Sequence, residues 1–467
     1  MSPSTRVALL ALLCPGLSGA ARAETIEAAL AKAYAANAQL EEQRAGVRVR
    51  DEDVPKAKTG WRPKASISIN GGPQRTWTRQ PAGLDQFHNR LHALDKYSGI
   101  PKNGTASITQ PIFDGGKTTS AVRQAESEVR AARENLRQSE QEALLNAATA
   151  YMNVLRDSAV VSLRKNNIAV LIEQLRVARD RAELGEVTTT DVAQAEAALA
   201  QARADHAAAL GALENSVAVY VQTIGDKPER LAPAKKIDAL LPLDRAQAIE
   251  TALLDHPGVA AAQHQVDAAE QAVKVAESVL MPTAAVGAQI VQQYDSYLAY
   301  PGTKQLSAQI FGQLNIPLYQ GGGEYSGVRQ AKEQASQARL HVTVMQNAVR
   351  AGVIQAFSQF TTARAAVSFN EVAVRSAETA LAGVRNEAAF GQRTTLDVLN
   401  AQQALLNARV NLVTAQRDRM VGSYALLAAT GLLSASTLDL DVVPYDPALH
   451  LDEIESKWFG LSVEDGR

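Results

Sequence analysis

Three stretches carry residue types that could do chemistry. Asp114-Gly115-Gly116-Lys117-Thr118-Thr119 ends like a phosphate-binding loop, in which backbone N–H groups and a lysine cradle a nucleotide. That motif needs an earlier glycine at position 111, where this chain has Pro111. The glycine pair therefore reads as a strand-to-helix turn with Asp114 as the helix cap. His88 and His92 stand four apart, a spacing that can hold a metal, but they sit in a polar loop with no third ligand nearby and read as solvated. His206, His256 and His264 are scattered, and surface or seam packing accounts for them. No Ser/His/Asp set or carboxylate pair stands out, so no catalysis, metal or cofactor is expected.

The third stretch is a charged turn that occurs twice. Gly185 to Arg203 reads GEVTTTDVAQAEAALAQAR and Gly391 to Arg409 reads GQRTTLDVLNAQQALLNAR. Gly185 and Gly391, and Asp191 and Asp397, are each 206 positions apart, as are Pro111 and Pro317. Asn37 and His256, and Pro63 and Pro282, are 219 apart, so the first copy holds 13 extra residues between Pro63 and Pro111. Spacing this regular marks a duplicated chain. Asp191 and Asp397 each open a helix, where a carboxylate is favoured by the dipole. Arg393 alone would be a solvated turn residue.

Long helices must position these turns. After Gly391, Leu396, Leu399, Gln403, Leu406, Val410, Val413, Arg417, Met420, Tyr424 and Leu427 follow the alternating three-four step of a coiled-coil seam. Val398, Ala401, Leu405, Ala408, Leu412 and Ala415 form a second seam, as in a ring of helices. Aromatic residues are only 5% of the 467, which suits rods packed side by side rather than thick globules. Net charge is −2, which does not suggest a nucleic-acid partner.

Residues 1–23 read as a secretory signal: Arg6, the apolar run Val7 to Leu13, and Ala21-Arg22-Ala23 as the cleavage site. Its removal leaves 45 basic against 49 acidic residues, a net charge of −4, and deletes Cys14, the sole cysteine. Leu13 stands where a lipidation motif wants a small residue, so Cys14 is not read as an anchor. No run of eighteen apolar residues follows. Such an exported chain is soluble or part of a closed barrel, because backbone groups in lipid must be satisfied internally.

The first repeat, 24–242, is expected to hold a helix over 24–58, strands over 62–77 and 103–112 around a polar loop, a long helix over 115–184, a helix over 190–224 and a linker over 225–242. The second, 243–433, is expected to hold a helix over 243–279 interrupted only by Pro257-Gly258, strands over 282–294 and 304–317, a long helix over 321–390 and a helix over 394–431. Residues 434–467 form a peripheral tail. The strand-to-helix turns fall at Pro111, Asp114, Gly115 and Gly116, and at Pro317, Gly321 and Gly322. The strands alternate apolar and polar residues, the weak dyad pattern of membrane barrels. Each long helix would run roughly 100 Å. Four strands cannot close a barrel, so the sheet edges call for other copies of the chain.

QPIFDGG, IPLYQGG and the turns GEVTTTDV and GQRTTLDVLNA resemble the TolC family of outer-membrane channels, and the resemblance covers essentially all of the mature chain. It implies a mixed, mostly α fold: a homotrimer whose twelve-stranded outer-membrane β-barrel, four strands per protomer, continues as a long antiparallel α-helical barrel across the periplasm. The linker and tail would form an equatorial belt. Partners would be a periplasmic adaptor (membrane fusion) protein, an inner-membrane ABC or proton-driven transporter, and outer-membrane lipid. The resemblance makes Arg393 a gate residue bridging to Thr190 and Asp191 of a neighbouring protomer, with helix untwisting as the opening motion. Asp397 would be one carboxylate of an entrance ring; its second position is Asn400 here, so the ring is weaker. The function implied is the exit duct of a tripartite efflux pump or a type I secretion system. The alternative is a periplasmic adaptor or coiled-coil scaffold without a pore, against which two amphipathic strand pairs at matched places count.

Overall fold

The computed structural model describes residues 23–84, 86–88, 90–295 and 302–463. The expected signal segment, Ala23 apart, lies outside them. The chain divides into two compact units. One takes residues up to Glu41, Glu140–Ala252 and Ala351–Pro444; the other takes Glu42–Ser139, Leu253–Arg350 and Tyr445 onward. Each unit draws on both repeats. No helix among the described residues is long and apolar enough to cross a membrane.

The first repeat runs α1 (Ile26–Ala36), α2 (Ala38–Asp51), α3 (Asp53–Lys58), β1 (Lys64–Gly71), β2 (Gln74–Leu84), β3 (Arg90–Gly99), β4 (Lys102–Phe113), α4 (Lys117–Glu183) and α5 (Thr189–Ile224). The second runs α6 (Arg245–Asp255), α7 (Pro257–Ser278), β5 (Thr283–Tyr294), β6 (Lys304–Asn315), α8 (Gly323–Ala389) and α9 (Thr395–Ala429), and α10 (Leu449–Ile454) lies in the tail.

Four expectations need correction. The helix expected over 24–58 is three helices, while the segment 243–279 divides into two at the expected interruption, Pro257-Gly258. The breaks fall at matched residues. The Asn37 side chain accepts from the N–H groups of Gln39 and Leu40, and His256 Nδ1 accepts from Gly258 N–H. Each residue ends one helix in extended backbone and caps the next. The polar loop expected over 78–102 is largely the β2–β3 hairpin, which fills the extra length of the first copy. The strand expected over 62–77 correspondingly ends at Gly71 and a new one starts at Gln74. The tail is not peripheral: Ala435, Leu440, His450 and Ile454 are buried.

Burial lowers the proton affinity of the His256 imidazole below its ordinary value, which keeps Nδ1 free to accept. The cap is therefore complete above the unfolded histidine value and is lost as pH falls through the depressed folded one. His256→Asn should hold the cap at all pH values, as Asn37 does. Between pH 7 and 5 the parent should lose up to about 1 kcal/mol relative to this variant. Equal shifts of the two denaturation midpoints would remove His256 as a pH-dependent cap.

The N-terminal segment, the linker and the tail are tied down by specific hydrogen bonds. Glu24 pairs as an isolated bridge with Leu231: its N–H donates to the Arg230 carbonyl and its carbonyl accepts from Ala232 N–H, both at 2.8 Å. Tyr151 donates to the same Glu24 carbonyl and to the Ala232 carbonyl, and Tyr220 donates to the Glu24 carboxylate at 2.9 Å. Burial pushes the Tyr151 phenol up to about 12, so it remains a donor. In the other unit, buried Asp51 meets His450 Nδ1 at 3.2 Å and Arg133 Nη2 at 3.6 Å, and Lys58 pairs with Glu455, holding the tail against α2–α4.

Candidate functional site

The sheet has the order β1-β4-β5-β6, antiparallel throughout, so β1 and β6 are its edges. Register puts Ala65, Ile108, Ala288 and Ile310 in one row, and Ile67, Ala106, Ile290 and Ala308 in the next row on the same face. Large and small apolar side chains alternate along both rows. The rows between them belong to the other face. They read Ser66, Ser107, Gln289, Gln309 and Ser68, Thr105, Val291, Ser307. A one-residue slip would exchange the faces, so the alternation fixes the register. The apolar face is bare in the single chain, with Ile67 80% and Ile310 83% exposed.

Both strand-to-helix turns are built on glycines with positive φ: Gly115 and Gly116 at 69° and 84°, Gly321 and Gly322 at 84° and 86°. At Gly115 a Cβ would also meet Met281 Cβ at 2.6 Å and the Ser278 carbonyl at 2.9 Å. Asp114 Oδ1 accepts from Gly116 N–H at 3.1 Å and Oδ2 from Thr118 N–H at 2.8 Å, so the expected capping carboxylate serves the first turn of α4. At the second turn Glu324 accepts from Gln320 N–H. Pro111 falls beyond the last β1 partner of β4, where no N–H is needed on that side, and a register shift follows it. Pro317 lies past the end of β6.

The two helix turns share one backbone design. Glu186 N–H donates to the Arg181 carbonyl and Gly185 N–H to the Ala182 carbonyl; Gln392 and Gly391 repeat both bonds to Glu387 and Ala388. With Gly185 and Gly391 at φ 77° and 75°, this is the left-handed glycine stop of a Schellman motif. Three residues on, Thr188 and Thr394 each form a capping box with Asp191 and Asp397. Hydroxyl and backbone donors from Thr188 hold the Asp191 carboxyl below its ordinary value, and backbone and hydroxyl donors from Thr394 do the same for Asp397. Both boxes are therefore complete near neutrality and are lost only as pH falls through those depressed values. Leu171, Leu175 and Ala178 of α4 pack with Ala195, Leu199 and Ala202 of α5 and with Leu399 of α9, fixing the turns on their helices.

The structure brings the two turns together. Arg393 and Asp191 both line a cleft of about 490 Å³, with Arg181, Glu186 and Arg385. Thr190 is exposed on the first turn of α5 and Asn400 on the second turn of α9. Two partners were missed by sequence reasoning. Arg393 Nε donates to Glu387 at 2.8 Å, and this contact raises the guanidinium's proton affinity further. At the position matched to Glu387 the other turn has Arg181, 3.5 Å from Glu186, so each turn carries its own intra-turn ion pair, of opposite sense and with the second partner one position earlier in the first turn. The capping boxes had a visible signal, threonine three residues before aspartate in both copies. Of the seam rows on α9, Leu399, Leu406, Met420, Tyr424, Leu427, Val398, Leu405 and Ala415 are buried, while Leu396 and Gln403 are exposed. Of the histidine pair, His88 has φ 63°, and the side chain of His92 lies outside the described residues. No cluster of three or more metal-ligating side chains exists among the described residues.

Comparison with known proteins bears on this arrangement. The outer membrane efflux protein family matches residues 29–225 and 248–432. The chain is 41% identical over 450 residues to the outer membrane efflux protein BepC of Brucella suis biovar 1, a match covering 96% of this chain and 94% of that one. It is 26% identical over 343 residues to the alkaline protease secretion protein AprF of Pseudomonas aeruginosa, covering 72% and 71%. The outer membrane channel CmeC of Campylobacter jejuni matches in structure with a TM-score of 0.75 over 92% of this chain and 89% of that one, at 16% identity, a likeness of fold alone.

Proposed function

The chain belongs to the outer membrane efflux protein family, and on that footing we propose that it is the outer-membrane exit duct of an efflux or secretion apparatus. One observation carries the reading: a four-stranded sheet with one apolar face, one hydroxyl- and amide-lined face, and two unpaired edges. An open edge in lipid leaves backbone groups unsatisfied, so β1 of one copy pairs with β6 of the next until the sheet closes. Three copies make twelve strands, more than the eight or so whose side chains fill a barrel, and so leave an aqueous lumen lined by Ser, Thr and Gln. The helices continue the duct in the periplasm, where an adaptor and an energised inner-membrane transporter dock. A relative described by efflux and another by alkaline protease secretion leave both kinds of apparatus in view.

Gating follows from the helix turns. Arg393 latches to Thr190 and Asp191 of a neighbouring protomer in the closed state, and the Asp397 ring, with Asn400 beside it, lines the entrance. Glu387 supplies the alternative partner: when the turns move apart, Arg393 stays charge-paired on its own turn. The two states then differ by an exchange of exposed ion pairs, a small difference that a docking partner can overcome.

Planar-bilayer conductance tests both parts. The chain should form pores, and in detergent gels it should run as a heat-modifiable oligomer. Arg393→Ala should raise open probability, by up to about five-fold per latch, whereas Glu387→Gln should lower it by weakening the open-state partner. A chain that stays monomeric and forms no pores would return the reading to an adaptor or scaffold. Unaltered gating in both variants would remove Arg393 from the latch.

A further inference from the structure

At its hairpin end the apolar face of the sheet closes on a row of different character. The last rung reads Gly71, Lys102, Tyr294 and Lys304 across β1, β4, β5 and β6. It lies two residues beyond Ile69, Gly104, Gln292 and Leu306, on the same face. Both lysines are exposed, and Lys304 Nζ stands 5.6 Å from the centre of the Tyr294 ring. Among the described residues neither lysine has a carboxylate within ion-pair distance. By contrast, Lys58, near the helix end of β1, is paired with Glu455.

The β2–β3 hairpin repeats the pattern. Arg75, Trp77 and Arg79 alternate on one face with Lys96 opposite Trp77, and all four are exposed. The other face carries Tyr97, which donates to the carbonyl of Asp295, the residue that follows β5. The carboxylate of Asp295 accepts from Gly302 N–H within its own loop and forms no ion pair with either lysine.

We propose that this rim binds the phosphate groups of lipid headgroups in the leaflet on the hairpin side of the sheet. The inference rests on the reading that the sheet spans the outer membrane. Lysines at the edge of an apolar band extend their ammonium groups to the headgroup level while their stems stay on the band, and tyrosine is favoured at the same depth. Lys102 and Lys304 are two strands apart, about 10 Å, a span that suits two phosphates on one headgroup or on adjacent ones. Repeated around a closed barrel, the rung becomes a basic girdle on one side of the membrane only, which also fixes the direction of insertion.

The test titrates the full chain, purified in detergent, with bis-phosphorylated lipid A, with its dephosphorylated form and with inorganic phosphate, counting bound lipid by native mass spectrometry. The phosphorylated lipid should bind and the other two should not compete. Lys102→Gln with Lys304→Gln should weaken binding about 25-fold, at about five-fold per lysine. Lys102→Arg with Lys304→Arg should restore it, and stands in if the glutamine variant fails to fold. Lys64→Gln, on the polar face, should change nothing. Wild-type affinity in the glutamine variant overturns the proposal, as does equal binding of the dephosphorylated lipid. Failure of the wild-type chain to conduct in phosphatidylcholine bilayers would instead sink the channel reading, which the detergent titration does not probe.

Discussion

Ile310→Arg is expected to abolish assembly in the outer membrane, while Gln309→Arg, one residue away, leaves it intact. The two side chains lie on opposite faces of β6. Ile310 continues the row Ala65, Ile108, Ala288; Gln309 continues Ser66, Ser107, Gln289. An arginine facing lipid near the bilayer midplane costs about 2–4 kcal/mol per chain, and every copy in a closed barrel would bear it. Against a net folding stability of about 5–15 kcal/mol this is decisive. On the other face the same arginine enters water and changes selectivity rather than assembly. Fractionation of the outer membrane, followed by gels of heated and unheated samples, checks both variants. Equal assembly of the two would mean that the apolar face does not meet lipid.

The second large effect is expected in the helices that precede the sheet. Asp51→Ala should destabilise the docking of the tail by about 3 kcal/mol, because Arg133 and His450 lose the carboxylate between them. Arg133 is 23% exposed and can reach water in part, which keeps the figure from the top of the usual range. Burial raises the proton affinity of the Asp51 carboxyl above the ordinary carboxylate value, although His450 and Arg133 oppose the shift. The folded state therefore takes up this proton before the unfolded one does. Stability at this site rises as pH falls through the raised value, the reverse of the behaviour of Asp191 and Asp397. Asp51→Asn, which keeps the shape and loses the charge, should cost about 1 kcal/mol. Limited proteolysis of residues 445–463 at several urea concentrations measures the release. A tail equally protected in the parent and in Asp51→Ala would show that this contact does not hold it.

The duplication was legible because it needs only counting, and it located the turns at Gly185 and Gly391 and the glycine pairs after Pro111 and Pro317. The sheet faces were legible for a similar reason: Ala65, Ile67 and Ile69 alternate with Ser66, Ser68 and Asn70, and only an extended strand sorts such a pattern. The β2–β3 hairpin was not. Its residues are polar on both faces and include Pro81, Gly83 and Gly99, so no period separates it from a loop. The break after His256 was legible in Pro257-Gly258, whereas the break at Asn37 was hidden because asparagine is not itself a strong helix breaker and acts through a side-chain cap. The tail was misread because its prolines and carboxylates suggest solvent, while its anchor pairs residues 399 positions apart.

By itself, then, the sequence determined what is periodic or local: the long helices α4, α5, α8 and α9, the chemistry of their turns, and the alternating faces of β1, β4 and β6. Tertiary structure alone decided the neighbours. It placed β4 beside β5, joining the two repeats in one sheet, set Arg393 on Glu387, and buried Asp51 against His450. Local pattern records what a residue's own backbone prefers. Pairing across long loops depends on which surfaces remain to be covered once the helices and strands have formed, and no window of sequence contains that information.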